Sequence, residues 1–573
     1  MYGEDTSEHR ISPESEKSNL TTQLTIGQVP EPGRHLLTFC GDVVIFALHI
    51  DPAFSGKAFV RTNLGHAEVT RSEIIQQVER NEPRLGRDWF DIPMQPVAPG
   101  RFELGLGLTE VGHFEAKCLF IPDGGTEPHW PEGANTAINV EPADTVCANI
   151  IYNAFVRQFG PYKHQAHAPK MPHSDAVDAL DAQHYTVIPP SGTFRDLIEE
   201  LDFIMHRLGC RIIQLLPINP TPTTYARMGR YGSPYAALDF TGIDPALARF
   251  DPKATPLEQF IELVDAIHAR SGKLLLDIAI NHTGWAASLH ETHPHWLARN
   301  HAGEIENPGA WGVVWEDLTR LDFSHKSMWI YMADVFLTWC RRGVDGFRCD
   351  AGYMIPEKAW HYIIAKVREQ FPETIFLLEG LGGKISVTRD LLNRANFNWA
   401  YSELFQNYDR NQIEHYLPGA TEISAADGIT VHFAETHDNN RLAATSHGYA
   451  RMRTALCALL APFGAFGFAN GVEWLAREKI NVHQPCSLNW GAEINQVDAI
   501  ARLSRLLRTH PAFGHPSRCD LVNRGQGNFL AVVRRHLPSQ KALLIVANLD
   551  HHHPQQIGWD RSRWGTGLSA AVD

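Results

Sequence analysis

Apolar and polar residues follow three different rhythms along the chain. From Arg34 to about Asn139, short apolar runs such as VVIFALHI (43–50) and HFEAKCLFI (113–121) alternate with Gly/Pro-rich turns, among them GRFELGLG (100–107). Runs of that length bounded by turn residues predict an all-β sandwich, without helices. After Pro142 near-continuous apolar runs alternate with longer helical stretches, and strands are predicted at 149–156, 211–218, 273–280, 344–349, 374–379, 398–404, 429–435 and 465–468. KLLLDIAI (273–280) shows why: a parallel strand buried on both faces reads as an unbroken apolar run. Helices are predicted between them at 194–209, 255–272, 328–343, 357–371 and 447–461, with a last one at 497–510. In the second of these, Leu257, Phe260, Ile261, Val264 and Ile267 keep the three-and-four spacing of one buried face, and Gly272 supplies the stop.

Eight strand-helix units predict a closed barrel over 146–512, with reacting groups at the C-terminal strand ends. An open doubly wound sheet is the competing topology. The run from Thr283 to Ser324 is too long for a plain connection and predicts a small inserted lobe, about 283–324, beside the site. Beyond Pro511, FLAVVRR (529–535) and ALLIVANLD (542–550) read as strands of a short, incomplete β domain. The expected class is therefore α/β: a (β/α)8 TIM barrel flanked by a β-sandwich (31–145) and a C-terminal β domain (513–573), with residues 1–30 as a flexible tail.

Composition narrows the function. With 573 residues, 44% of them hydrophobic and 20% charged, the chain can bury large cores. Its 51 Lys+Arg against 65 Asp+Glu give a formal charge of -14, which repels phosphate backbones and anionic lipid, so neither nucleic acid nor membrane is an expected partner. The N-terminus lacks the apolar core of a secretory signal, and Pro462, Gly464 and Gly467 break the longest uncharged run (454–471), so no membrane span is expected. Nine scattered cysteines without a CxxC pair indicate neither a disulfide framework nor a zinc site, and a reducing cytoplasm fits best. Oligomeric state is left open.

Four predicted strand ends carry ionisable groups: Asp277 with Asn281 and His282, Arg348 with Asp350, Glu379, and His437 with Asp438. An Arg two residues before an Asp on a strand projects to the same side and can hold that carboxylate ionised, as a nucleophile requires. Glu379 ends an apolar strand, where desolvation would raise its pKa and keep it protonated as an acid. Asp438 is a third carboxylate, placed to stabilise developing positive charge. Singly, an Arg-x-Asp is most often a structural ion pair and a Glu after an apolar strand often a helix cap. Together, without cysteine ligands or a Gly-rich phosphate loop, they suit a reaction through an oxocarbenium-like transition state. The run His551-His552-His553 alternates faces and reads as a solvated loop rather than a metal cluster.

The segments LLLDIAINH, GVDGFRCD, IFLLEG and VHFAETHD resemble, in kind, order and spacing, the four signature regions of glycoside hydrolase family 13, the α-amylase family. The resemblance implies a retaining α-glucan enzyme with Asp350 as nucleophile, Glu379 as general acid/base, Asp438 as transition-state stabiliser and Arg348 orienting Asp350. It implies further that His282 and His437 bind the reacting sugar, that Asp277 and Asn281 shape the end of the third strand, and that Tyr235, in GSPYAALDFTGIDP (232–245), is a stacking platform. Trp311 and Trp315 are weaker candidates for further platforms. AGYMIP (351–356) replaces the Lys-His pair usual after the nucleophile in α-amylases, which points away from long starch and toward short oligosaccharides. The segments YNAFVRQFGP (152–161), LLPINPTP (215–222) and EWLAREKI (473–480) resemble the maltose-1-phosphate maltosyltransferase branch. Hydrolysis of maltooligosaccharides or glycogen-type glucans is the main expectation, transglycosylation the alternative, and an inert binding subunit a minor third. No cofactor is expected. Some family members bind calcium, but no convincing oxygen ligand set accompanies Asn281.

Overall fold

The computed structural model describes residues 24–164, 174–185, 187–310, 312–484, 486–560 and 562. Most of the expected tail, the Trp311 side chain and the last residues of the expected C-terminal domain thus lie outside the described residues. The tail expectation needs one correction: Ile26–Val29 is a strand paired with Val43–Ile50.

The first rhythm folds as two facing sheets. Ile26–Val29, Val43–Ile50, Arg101–Gly107 and Gln95–Ala98 form one, in that order; His35–Phe39, Thr136–Glu141, Gly112–Pro122, Gly56–Thr62 and Phe90–Pro93 form the other. Alternation puts Phe46, Leu48, Val60, Phe114, Phe120 and Ile138 into the core between them. Two expectations fail here. The segment 101–107 is a strand rather than a turn, because Phe102 and Leu106 turn inward while Gly105 and Gly107 face solvent. The domain is also not all-β, since Ala67–Glu79 is a helix of weak amphipathicity whose buried residues are Ala67, Glu73, Ile74 and Ile75. Buried Glu73 is explained by its partners: it accepts hydrogen bonds from the backbone N–H groups of Leu85, Gly86 and Arg87.

That helix joins the sandwich to the barrel. Glu79 accepts a 2.8 Å hydrogen bond from the Tyr362 hydroxyl and lies 3.2 Å from the Lys366 ammonium. Arg71 donates to the carbonyls of Val111, on the sandwich side, and Arg368, on the barrel side.

The second rhythm folds as a closed parallel barrel of β1 (Ile150–Ala154), β2 (Ile212–Leu215), β3 (Lys273–Ile278), β4 (Gly346–Cys349), β5 (Ile375–Leu378), β6 (Trp399–Ser402), β7 (Ile429–Phe433) and β8 (Phe466–Ala469). Pairing of β8 with β1 closes it and excludes the open sheet. Helices Phe194–Leu201, Pro256–His268, Lys326–Arg341, Glu357–Gln370, His447–Leu460 and Val497–Thr509 pack outside. The first continues as a π-helical turn, Asp202–Arg207. In Pro256–His268 the inner face takes Phe260, Leu263, Val264 and Ile267, whereas Ile261 is exposed. Among the described residues of this region, three helices of nine residues or more lacked an expectation, Ser174–Ala182, Ile385–Asn393 and Arg410–Ala426, the last with Pro418 inside it, as did the single turns Leu289–Thr292 and Leu442–Thr445.

Between β3 and β4, His282–Gly284 pairs with Leu318–Arg320, and Gly309–Ala310 with Val313–Val314. Beyond the barrel, Ser517–Leu521, Phe529–His536 and Ala542–Asn548 form an antiparallel sheet that sends Leu530, Val532 and Ile545 into the core shared with the barrel helices. His551, His552 and His553 are exposed in a loop, and all nine cysteines are free.

Candidate active site

Parallel register starts the site. Asp277 of β3 stands directly beside Arg348 of β4, and Asp350 lies two residues on, projecting to the same side as Arg348. The guanidinium is fully buried and holds three carboxylates. Nη1 is 2.9 Å from Asp277 Oδ1 and 2.6 Å from Asp350 Oδ1, and Nη2 is 2.7 Å from Glu379 Oε1, just past the end of β5. The other oxygen of Glu379 accepts a 2.8 Å hydrogen bond from the Ala351 N–H. That donor is aimed by a left-handed backbone at Ala351 (φ 43°), a conformation an L-residue adopts only under constraint. Here the turn after Asp350 grips Glu379, so the two carboxyls are positioned as a unit.

Burial and charge compete at this cluster. Desolvation pushes Glu379 up to about 7 against the pull of Arg348, with the neighbouring Asp350 charge adding to the rise. Burial also raises Asp350, opposed by the charge and hydrogen bond of Arg348 and by a hydrogen bond with Glu379. Asp277, wholly enclosed, is held well above the usual range by burial. The same carboxylates hold Arg348 firmly charged although burial alone would lower its pKa.

A second layer extends from Asp277. The Tyr235 hydroxyl lies 3.0 Å from Asp277 Oδ2 and 2.6 Å from His437 Nε2, and the two rings stack with centroids 5.7 Å apart. His437 Nε2 is 3.2 Å from Asp438 Oδ2, whose side chain is 62% exposed, so Asp438 projects into open space. His282 contacts the Tyr235 carbonyl through Nε2 at 3.2 Å, while its buried Nδ1 has no partner. Burial lowers His282 to about 4 and His437 below its ordinary value, so both rings are neutral at neutral pH. Asn281 sits slightly apart: its amide touches Met354 Sδ at 3.4 Å, and its buried Oδ1 is unpartnered.

These groups line a cavity of about 590 Å³. Asp350, Glu379, Asp438, Tyr235, His282 and His437 all border it; Arg348, Asp277 and Asn281 stand behind them. Trp315 forms part of the wall, 6.1 Å from His282 between ring centroids. Met228, Tyr353, Phe405, Gln406, Asn439 and His483 also line it and lacked an expectation. They lie in the loops after β2, β4, β6, β7 and β8, where neither periodicity nor motif marks a position. No Lys or Arg is among the described lining residues, whereas Glu316 and Asp317 add to the three carboxylates. Among the described residues no group of three or more His, Cys, Asp and Glu side chains could hold a metal ion. Nor is any described helix long and apolar enough to cross a membrane.

No family model matches the chain. It is 28% identical over 405 residues to an α-1,4-glucan:maltose-1-phosphate maltosyltransferase of Cereibacter sphaeroides, covering 66% of this chain and 59% of that protein. To the protein so named from Pseudomonas aeruginosa it is 27% identical over 453 residues, 72% of this chain and 66% of that one. The chain thus spans about three-fifths to two-thirds of the length of these curated relatives. Among solved structures, an α-amylase from Lactobacillus plantarum superposes with a TM-score of 0.55 at 24% identity, over 68% of this chain and 86% of that one. A debranching enzyme from Nostoc punctiforme gives 0.53 at 20%, over 71% and 90%. The resemblance to glycoside hydrolase family 13 and to its maltose-1-phosphate maltosyltransferase branch therefore extends from the short segments to the barrel as a whole.

Proposed function

We propose that the chain is an α-glucan transglycosylase that works by double displacement through a covalent glycosyl-Asp350 intermediate. The observation that carries this reading is the fork of Arg348, which holds Asp350 and Glu379 side by side at the cavity wall, where burial lifts Glu379 to about 7. Two carboxyls that close leave the second one to attack the sugar directly, where an inverting pair leaves room for a water. In the first step Glu379 gives its proton to the glycosidic oxygen, Asp350 bonds to C1, and the C1–O bond breaks. In the second, Glu379 takes the proton of an acceptor hydroxyl, whose oxygen displaces Asp350 from C1 and restores the starting configuration. Asp438 faces the charge that develops between these states, and the neutral rings of His282 and His437 with the Tyr235 hydroxyl meet sugar hydroxyls. The names of the curated relatives support transfer over hydrolysis, and nine unpaired thiols support a cytoplasmic setting.

Hydrolysis is the second reading, because water can replace the acceptor at the same atom. The absence of Lys and Arg from the described wall, together with its five acidic residues, favours an uncharged glucan donor over a phosphorylated one in either reading. Incubation with maltooligosaccharides, with and without inorganic phosphate, separates these by chromatography. Products longer than the substrate are expected; only shorter ones would establish hydrolysis, and phosphate-dependent shortening would establish a phosphorylated donor. Asp350→Asn is expected to lower turnover by about four orders of magnitude or more. Glu379→Gln given a glycosyl fluoride should accumulate a sugar adduct visible in the intact mass. Wild-type turnover in the first variant and no adduct in the second would overturn both roles.

A further inference from the structure

A second cavity, of about 620 Å³, lies far from the catalytic carboxylates, at the seam between the sandwich and the barrel. Its wall is built from the helix Ala67–Glu79 and the strand Gly112–Pro122 on one side, and from the helices Lys326–Arg341 and Glu357–Gln370 on the other. Six cationic side chains line it: Arg71, Arg84, Lys326, Lys358, Arg368 and Arg394. Two carboxylates, Glu115 and Glu357, face them. The lining therefore carries an excess of positive charge on a chain whose formal charge is -14.

The cations are also poorly neutralised. Of these six, Arg394 alone makes ion pairs among the described residues, with Glu357 at 3.8 Å and Asp390 at 3.6 Å, while Glu110 and Glu369 act on Arg71 and Glu141 on Arg368 from farther off. Arg71 spends its guanidinium on the carbonyls of Val111 and Arg368. Arg368, 1% exposed, donates to the carbonyls of Thr374 and Asn396 and to the amide oxygen of Asn398. Lys326 reaches only the amide oxygen of Asn81, at 2.7 Å. Arg84 and Lys358, both exposed, make no ion pair among the described residues. His361, between the helical and loop walls, makes no hydrogen bond there either. Six cations against two lining carboxylates leave an excess of like charge around the cavity, and an anion in it relieves that excess. Trp89 and Trp329 supply an aromatic wall beside the cations.

We propose that this seam cavity binds a phosphorylated small molecule, its phosphoryl group met by the exposed Arg84 and Lys358 within the positive field of Arg71 and Arg368, and its ring body set against Trp89. Because the wall belongs to both domains, the ligand would fasten the sandwich to the two helices that flank β4, the strand leading into Asp350.

Calorimetric titration of the full chain at physiological salt tests this with three probes: ADP, glucose 6-phosphate and inorganic phosphate. Binding of ADP or glucose 6-phosphate at least tenfold tighter than inorganic phosphate is expected, with affinity unchanged by saturating maltotetraose. The exposed pair Arg84→Glu/Lys358→Glu should weaken that binding at least tenfold while leaving turnover of maltooligosaccharides intact. Equal affinity for all three probes would overturn the organic ligand and leave a bare anion site. Binding that maltotetraose displaces, or that survives the double reversal, would place the probe elsewhere and overturn the site.

Discussion

Arg348 and Arg368 are equally buried and electrostatically opposite. Arg348 meets three carboxylates at the catalytic end of the barrel, and they hold its charge firmly in place. Arg368 hydrogen-bonds only carbonyl and amide oxygens at the seam with the sandwich, and burial pulls it down to about 9 against the more distant charge of Glu141. Burial alone therefore says little about what an arginine does. A buried guanidinium ringed by carboxylates fixes charges for chemistry, whereas one ringed by dipoles ties backbone together and meets carboxylate charge only at a distance. The difference follows from position. β4 carries Arg348 into the ring of strand ends where Asp277, Asp350 and Glu379 converge, while Arg368 sits near the end of the next helix, over the ring of Phe376 and against chain turns that present carbonyls.

The largest expected effect breaks the first half of that contrast. Arg348→Met leaves three buried carboxyls without their shared cation, and removing one partner of a buried pair costs about 3–5 kcal/mol. Both turnover and the denaturant midpoint should collapse. Arg368→Met removes hydrogen bonds and a charge that Glu141 feels at a distance, rather than a contact ion pair, and should lower stability by roughly 1–3 kcal/mol, with turnover within tenfold of wild type. Parallel urea titrations and initial rates check both; equal losses of activity would mean that the two arginines do the same work.

A smaller effect sharpens the contrast on the pH axis. Glu379, lifted to about 7 by burial, is protonated and competent as an acid below that value. The rate on an unactivated glucan should therefore decline as pH rises through about 7. It should decline again at acid pH as Asp350 gains a proton and ceases to be a nucleophile. Arg368→Met should leave this profile in place, since the charges that shift Glu379 are those of Arg348, Asp350 and Asp438 and none lies at the seam. A rate that is flat between pH 6 and 9 would remove Glu379 from the acid role.

The catalytic end was far more legible in the sequence than the seam, for a physical reason. Parallel strands buried on both faces leave unbroken apolar runs, so all eight barrel strands stand out, and an ionisable residue at the end of such a run is conspicuous because it has no packing reason to be there. Arg348, Asp350 and Glu379 were visible on those grounds. The seam helix Ala67–Glu79 was not, because AEVTRSEIIQQVE buries only one apolar pair, Ile74 and Ile75, together with Ala67 and a carboxylate whose partners come from the next loop. Arg410–Ala426 was hidden by Pro418 and Gly419, which ordinarily end a helix. Cavity-lining loop residues such as Tyr353 and Phe405 carry no local signal, since their place depends on how eight loops converge.

The smallest expected effect concerns another polar link across the seam, where His35 of the sandwich meets Asp427, just before β7, at 2.8 Å. The hydrogen bond to Asp427 raises His35 above its ordinary 6.5, and hydrogen bonds from His35 and Asn393 with the charge of Arg389 hold Asp427 below its ordinary 3.8 despite burial. The His35 contribution is complete below pH 6.5 and is lost as pH rises through its elevated folded value. The Asp427 contribution is complete above 3.8 and is lost as pH falls through its depressed folded value. Both therefore act between about pH 4 and 6.5. His35 is 40% exposed, so solvent screening keeps the link below about 1 kcal/mol. The melting temperature of His35→Gln should trail wild type by one or two degrees at pH 5.5 and converge with it at pH 8.5. A gap of the same size at both pH values would show that His35 acts by packing alone, and the polar hold on the seam would then rest on contacts such as those of Arg71 and Glu79.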